Sequence, residues 1–301
     1  MAETTTIEWA DKTWSPWEGC TRVSPGCDNC YAAAMNNWLR GGENWGPGAP
    51  RRELSEGHWK KLERWNALAE KKGKREKVFP SICDPFDNEV RPELRARHWA
   101  LMMMTPWLDH LILTKRIGNA AQMLAAPGMP NIVLPNVWIG ATVVNQEEAD
   151  RDIPKLLATP ARLRFLSVEP MLGPVDLTAE YLTAKLGAYP FKNLAPVHRT
   201  TLVDLLDWVI CGAESGRQAR PMHVDWARSL RDQCEAANVP FMLKQWGEWI
   251  DHDQPGVDML GTEASPLHRW EDGSCSVRLG KKLTGRLLDG VLHNEFPEVS
   301  P

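Results

Sequence analysis

The sequence predicts an α/β fold, a full or partial (β/α) barrel with parallel strands. Three observations point there. Short apolar runs alternate with helical stretches from residue 78 to residue 244, the pattern of parallel β/α units. Each apolar run ends in a polar or small residue, namely Asp84, Lys115, Thr142, Glu169, Glu214 and Lys244. Ligand-binding groups of a β/α barrel stand at those carboxyl ends. No G-x-G-x-x-G follows the first strand, which weighs against an open dinucleotide-binding sheet.

The elements follow in order. Residues 4–18 read as a short strand running into a loop. A cysteine loop comes next, and Tyr31 to Arg40 (YAAAMNNWLR) reads as a helix because alanine and methionine favour one. Residues 41–50 are rich in glycine and proline and form a loop. Strands are expected at 78–83, 110–115, 137–142, 162–168, 208–212 and 241–244. Helices are expected at 92–104, 117–126, 146–158 and 223–238. Beyond Trp249 the alternation stops. The expected organisation is a barrel domain over 1–249, with a basic insertion at 41–77, and a loop-rich extension over 250–301 with a hairpin around 276–288.

Composition bounds the function. The chain of 301 residues has a formal net charge of −4, 43% hydrophobic and 25% charged residues, the profile of a globular domain. No run of about 18 apolar residues and no basic, apolar leader is present, so neither a membrane span nor a secretory signal is expected. The expected compartment is the cytoplasm. Ten basic against five acidic residues give 51–77 a local excess of +5, with Trp59 and Trp65 among them. A solvated amphipathic helix and a phosphate-contacting patch are both open readings of that segment. The fifteen tryptophans are read first as core, with base or adenine stacking as the alternative.

The seven cysteines include three within eleven residues, Cys20-x6-Cys27-x2-Cys30. In a cytosolic chain such a group suggests a metal or redox site rather than disulfides. No other cysteine pair follows at zinc-ligand spacing, and a structural zinc site takes four protein ligands. Three thiolates suit a [4Fe–4S] cluster with one iron open, which can bind the amine and carboxylate of S-adenosylmethionine. The alternatives are zinc with Asp28, a histidine or a further cysteine as fourth ligand, a redox-active Cys27/Cys30 pair, and purely structural cysteines.

A wider set of segments carries a resemblance. WSPWEGCTRVSPGCDNCYA, HLILTKR, NVWIGATVVNQEEADRDIP, FLSVEPMLGPVDL, WVICGAESGRQARPMH, PFMLKQWGEW and GKKLTGRLLDG together resemble the radical S-adenosylmethionine superfamily. More closely, the chain resembles a bacteriophage- and prophage-associated family of three-cysteine proteins distantly similar to spore photoproduct lyase. Two features differ from the superfamily's usual loop. The first gap is six residues rather than three, and Asn29 stands where an aromatic residue is usual, with Tyr31 beyond Cys30.

The resemblance implies a barrel enzyme in which Cys20, Cys27 and Cys30 hold the cluster and S-adenosylmethionine is cleaved to begin radical chemistry. It implies cofactor contacts from Tyr31, Asp84, Lys115, Thr142, Glu169, Glu214 and Ser215, with Arg116 an alternative to Lys115 for the carboxylate. Catalytic roles fall to Lys115, Glu169 and Lys244. It further implies an electron donor such as a flavodoxin or ferredoxin, and a nucleobase, nucleotide or nucleic acid as substrate. The competing function is a zinc-binding nucleic-acid-interacting protein without radical chemistry.

Overall fold

The computed structural model describes residues 5–130, 132–178, 205–255, 257 and 264–298. Its contacts divide the chain into two compact units, Met1–Thr142 with Pro154–Arg164, and Val143–Ile153 with Phe165–Pro301. The described part of the tail from residue 250 on belongs to the second unit. The fold class is the expected one, parallel β/α architecture of the partial-barrel type, with four parallel strands in the first unit and three in the second.

In the first unit the strand order is β1 (Lys12–Thr13), β4 (Glu76–Phe79), β5 (Leu108–Thr114) and β6 (Val137–Thr142). All neighbours are parallel. β6 is buried along its whole length and β5 at all but one residue. That explains why both read as continuous apolar runs rather than alternating ones. A small antiparallel pair, β2 (Trp17–Glu18) with β3 (Arg52–Glu53), flanks them. The expected run at 78–83 is a strand only as far as Phe79, and Cys83 lies in the loop beyond.

Helices α1 (Tyr31–Arg40) and α2 (Glu56–Lys72) both end on a left-handed glycine, Gly41 and Gly73, the usual stop. On α2, Trp59, Leu62, Trp65 and Ala69 recur at helical spacing and are buried. They pack with Trp14, Trp17, Val78, Leu94 and Leu108 in the core of the unit. Stacking on a base is therefore not a role for Trp59 or Trp65. The basic residues of α2 lie on its other, solvated face. The remaining helices are α3 (Pro92–Met103), α4 (Ile117–Leu124) and α5 (Gln146–Ala158).

The second unit carries β7 (Leu163–Val168), β8 (Trp208–Gly212), α6 (Val224–Ala236) and β9 (Phe241–Gln245), with β7-β8-β9 parallel. Two antiparallel pieces replace the hairpin expected at 276–288. One is a three-stranded sheet of Trp249–Asp251, Cys275–Arg278 and Leu267–Arg269. The other is a two-stranded hairpin of Leu287–Leu288 with Val291–Leu292. The chain then runs antiparallel along β9. Leu243 donates to the His293 carbonyl and Glu295 to the Phe241 carbonyl, with a bridge between Met242 and Asn294. Such a strap satisfies the edge groups of an outer strand. No helix is long and apolar enough to cross a membrane.

Candidate functional site

The cysteine loop leaves the core through Gly19, whose φ is +130°. A Cβ there would run into the Asn44 carbonyl and the Arg51 side chain, so only glycine fits. Cys20 then bridges to Trp45, and Gly46 donates to its carbonyl at 2.9 Å. The six-residue gap is taken up by a capped turn. Ser24 Oγ accepts from Gly26 N at 3.0 Å, and Pro25–Cys27 forms one turn of 3₁₀ helix. Cys30 is the N-cap residue of α1, its backbone N–H bonded to the Cys27 carbonyl at 3.3 Å.

Two buried arginines tie the loop down. Arg51 pairs with Asp87 at 2.6 Å. It also donates to the Ala49 carbonyl at 2.8 Å and Thr21 Oγ1 at 2.6 Å. It is a clamp within the loop, not part of a phosphate-binding surface. Arg116, at the end of β5, donates from Nη1 to Cys20 Sγ at 3.3 Å and to Asp84 Oδ2 at 3.0 Å, and from Nη2 to the Thr21 carbonyl at 2.5 Å. Burial works against the Arg116 charge. Asp84 and Cys20 outweigh it, and its pKa is raised.

Cys20, Cys27, Cys30, Tyr31, Asp84, Lys115 and Thr142 all line one cavity of about 130 Å³. The first unit alone therefore brings together seven of the residues expected at the site. Their roles are not all those expected. Asp84 accepts from Thr114 Oγ1 at 2.7 Å, Phe86 N at 3.0 Å, Lys115 N at 3.1 Å and Arg116 Nη1 at 3.0 Å. With both oxygens committed, it anchors the strand ends and Arg116 instead of meeting a ligand amine. Arg116 is equally committed. Lys115 lines the cavity half-buried, and no ion pair or hydrogen bond of its ammonium group is found among the described residues. It is the cation available to an anionic ligand. The Tyr31 ring is largely exposed, and its hydroxyl donates to the Ser81 carbonyl.

Cys83 also lines this cavity. Sequence spacing gave no sign of it, because it follows Cys20 by 63 residues and is brought there by the Gly19–Cys83 bridge. The expectation that no fourth thiol accompanies the three is corrected on this point. Burial, with Asp84 second, pushes the Cys20 thiol up to about 12 against the pull of Arg116. Burial likewise raises Cys83. A metal that binds here displaces those protons.

The spread of the sulfurs bears on what the cavity can hold. Around one tetrahedral zinc, sulfurs at 2.3 Å from the metal stand about 3.8 Å apart. Among the described residues the one set of three or more His, Cys, Asp or Glu ligand atoms lying mutually within 4.8 Å is His223, Asp225 and Asp272. Cys20, Cys27 and Cys30 do not form such a set, and their side chains line one cavity. One zinc takes all its thiolates on a single ion, whereas a [4Fe–4S] cluster takes each on a different iron. The His223 set is a helix cap: Asp225 N donates to its Nδ1 at 3.1 Å, and Asp225 pairs with Arg228 at 2.9 Å.

The remaining expected residues lie in the second unit. Glu169 pairs with Lys244 at 2.6 Å and accepts from Gln245 Nε2 at 3.2 Å, its side chain lying over Gly212. Glu214 accepts from Arg220 N at 2.8 Å and Nε at 3.0 Å. Ser215 sits half-buried in the turn after β8. The same turn is held by Gly216 N donating to Glu248 Oε1 at 3.0 Å and by Arg278 donating to the Arg217 carbonyl at 2.8 Å. Glu169 and Lys244 pair with each other, as do Glu214 and Arg220.

No curated protein and no solved structure matches the chain. The chain belongs to the family described as "Protein of unknown function (DUF5131)", which matches residues 4–297.

Proposed function

We propose that this protein is an iron–sulfur enzyme of the radical S-adenosylmethionine type. The observation that carries the reading is the first unit's cavity. Four thiols, those of Cys20, Cys27, Cys30 and Cys83, line it together with the Lys115 side chain, unpaired among the described residues. Cys20, Cys27 and Cys30 would hold a [4Fe–4S] cluster, which when bound supplies one electron to cleave the sulfonium of S-adenosylmethionine. Lys115 would hold the carboxylate of that cofactor by a charge-assisted hydrogen bond. The Thr142 hydroxyl would meet a polar group of the same ligand. Asp84 and Arg116 position the loop and do not touch the ligand, and Tyr31 narrows the rim.

The test is anaerobic reconstitution with iron and sulfide. The expected result is about four irons per chain with broad visible absorbance, lost in the triple Cys→Ala variant. Dithionite reduction with S-adenosylmethionine should then release 5′-deoxyadenosine. Retention of iron and colour by the triple variant would sink the reading. The presence of Cys83 in the cavity favours a second reading, a site closed by four thiolates that holds zinc. That reading predicts one zinc per chain and no iron colour. With Trp59 and Trp65 in the core, a nucleic-acid substrate rests only on the sequence resemblance and the solvated lysines of α2.

A further inference from the structure

We propose that Arg116 sets the reduction potential of the cluster through a directed N–H···S bond to Cys20. The inference rests on the reading of Cys20, Cys27 and Cys30 as cluster ligands and concerns a positioning residue.

The geometry is specific. Arg116 is 9% exposed. One nitrogen, Nη1, serves both Cys20 Sγ at 3.3 Å and Asp84 Oδ2 at 3.0 Å, while Nη2 holds the Thr21 carbonyl at 2.5 Å. Its backbone N–H is bonded to Thr114 Oγ1 at 2.8 Å. Two separate chain segments, Cys20–Thr21 and Asp84, therefore fix one guanidinium with a donor aimed at the sulfur, while Thr114 holds its backbone. A planar fork can make such contacts at once; an ammonium cannot.

The charges argue for direction over bulk field. Asp84 largely balances Arg116, so the pair offers the sulfur little net charge. What it offers is a polarised N–H. Hydrogen bonds to cluster sulfurs are among the levers that set potential, because they stabilise the more negative, reduced form. Removing Arg116 acts in one direction twice over. The sulfur loses its donor, and Asp84 is left as an uncompensated negative charge beside the ligand. Both effects disfavour the added electron, so the potential falls.

The experiment is a dithionite titration of the anaerobically reconstituted full-length chain, followed by electron paramagnetic resonance. Wild type, Arg116→Gln, Arg116→Lys and the double variant Asp84→Asn/Arg116→Gln are compared, with iron counted in each. The expected order of midpoint potentials is wild type highest, Arg116→Lys below it and Arg116→Gln lowest. The double variant, which lacks both charges, should also stay below wild type, because the N–H···S bond is still absent. A double variant that returns to the wild-type potential would assign the whole effect to the bare Asp84 charge and overturn the proposal. So would an Arg116→Gln protein with full iron and an unchanged potential. If all the Arg116 variants lose their iron, the arginine is a scaffold of the loop and the proposal falls. A wild-type protein that takes up no cluster defeats the parent reading instead, and is recognised before any variant is made.

Discussion

The cysteine cavity of the first unit and the strand-end cluster of the second are built from the same materials and do different things with them. Both gather charged groups where parallel strands end. In the second unit the groups close on each other: Glu169 with Lys244 at 2.6 Å, Glu214 with Arg220. In the first unit Asp84 and Arg116 also close on each other, but their pairing leaves Lys115, Thr142 and four thiols lining a cavity. Location at a strand end makes a residue a candidate. Whether it is already spent on a neighbour decides what remains for a ligand.

The largest effect that tests this contrast is loss of the proposed cluster. Single Cys→Ala changes at 20, 27 or 30 should each lower bound iron more than tenfold after reconstitution. Glu169→Gln or Lys244→Met should leave iron at the wild-type level. Iron loss in those second-unit variants would erase the distinction drawn here.

Acid should weigh next, and more on the first unit, although burial also lowers His293 in the second. Burial lowers His98 to about 3 and also lowers His58 and His110, all in the first unit. A histidine held neutral when folded gains its proton on unfolding, so stability is full above its unfolded value of 6.5 and falls with pH below it. His98 alone should cost about 1.4 kcal/mol per pH unit between those limits. Urea unfolding from pH 7 to pH 4 measures the slope, which His98→Gln should flatten.

Gly19→Ala should cost roughly 2 to 3 kcal/mol and much of the bound iron, because a Cβ meets backbone and φ is left-handed. Gly216→Ala, at φ +103° with no atom near its added Cβ, should pay only the backbone strain, about 1 kcal/mol. Thermal unfolding compares the two.

The two lysines give a subtler split. Lys115→Ala should leave stability unchanged and weaken S-adenosylmethionine about tenfold by calorimetry, the loss of one charge-assisted bond. Lys244→Ala should leave that affinity alone and lower stability by about 1 to 3 kcal/mol, since Glu169 loses its partner. The smallest expected effect is that of Cys83→Ala on bound iron. Full retention supports three-thiolate ligation, and loss supports a closed four-thiolate site.

Much of the scaffold was legible because it is local. Val137–Thr142, Gln146–Ala158 and Trp208–Gly212 lie where apolar runs and helical periodicity put them. The core role of Trp59 and Trp65 was also legible, in their spacing with Leu62 and Ala69, though the surrounding lysines obscured it. The pairings were not. Arg116 reaches Cys20 across 96 residues and Lys244 reaches Glu169 across 75. No local pattern reports which charges will neutralise each other once strands align. Asp84 shows the cost: its strand-end position suggested a ligand contact, while four intramolecular donors already fill its oxygens.

The capped turn at Ser24–Cys27 has a consequence for how such sites are found. Counting residues between cysteines measures contour length, whereas ligation depends on the chord from one sulfur to the next. A one-turn 3₁₀ coil with a serine cap packs extra contour into a short chord. Loops with quite different cysteine spacings can therefore present the same triangle of thiols. A search keyed to the path of the backbone through the first strand, the glycine before Cys20 and the helix after Cys30 will recover sites that a search keyed to spacing passes over.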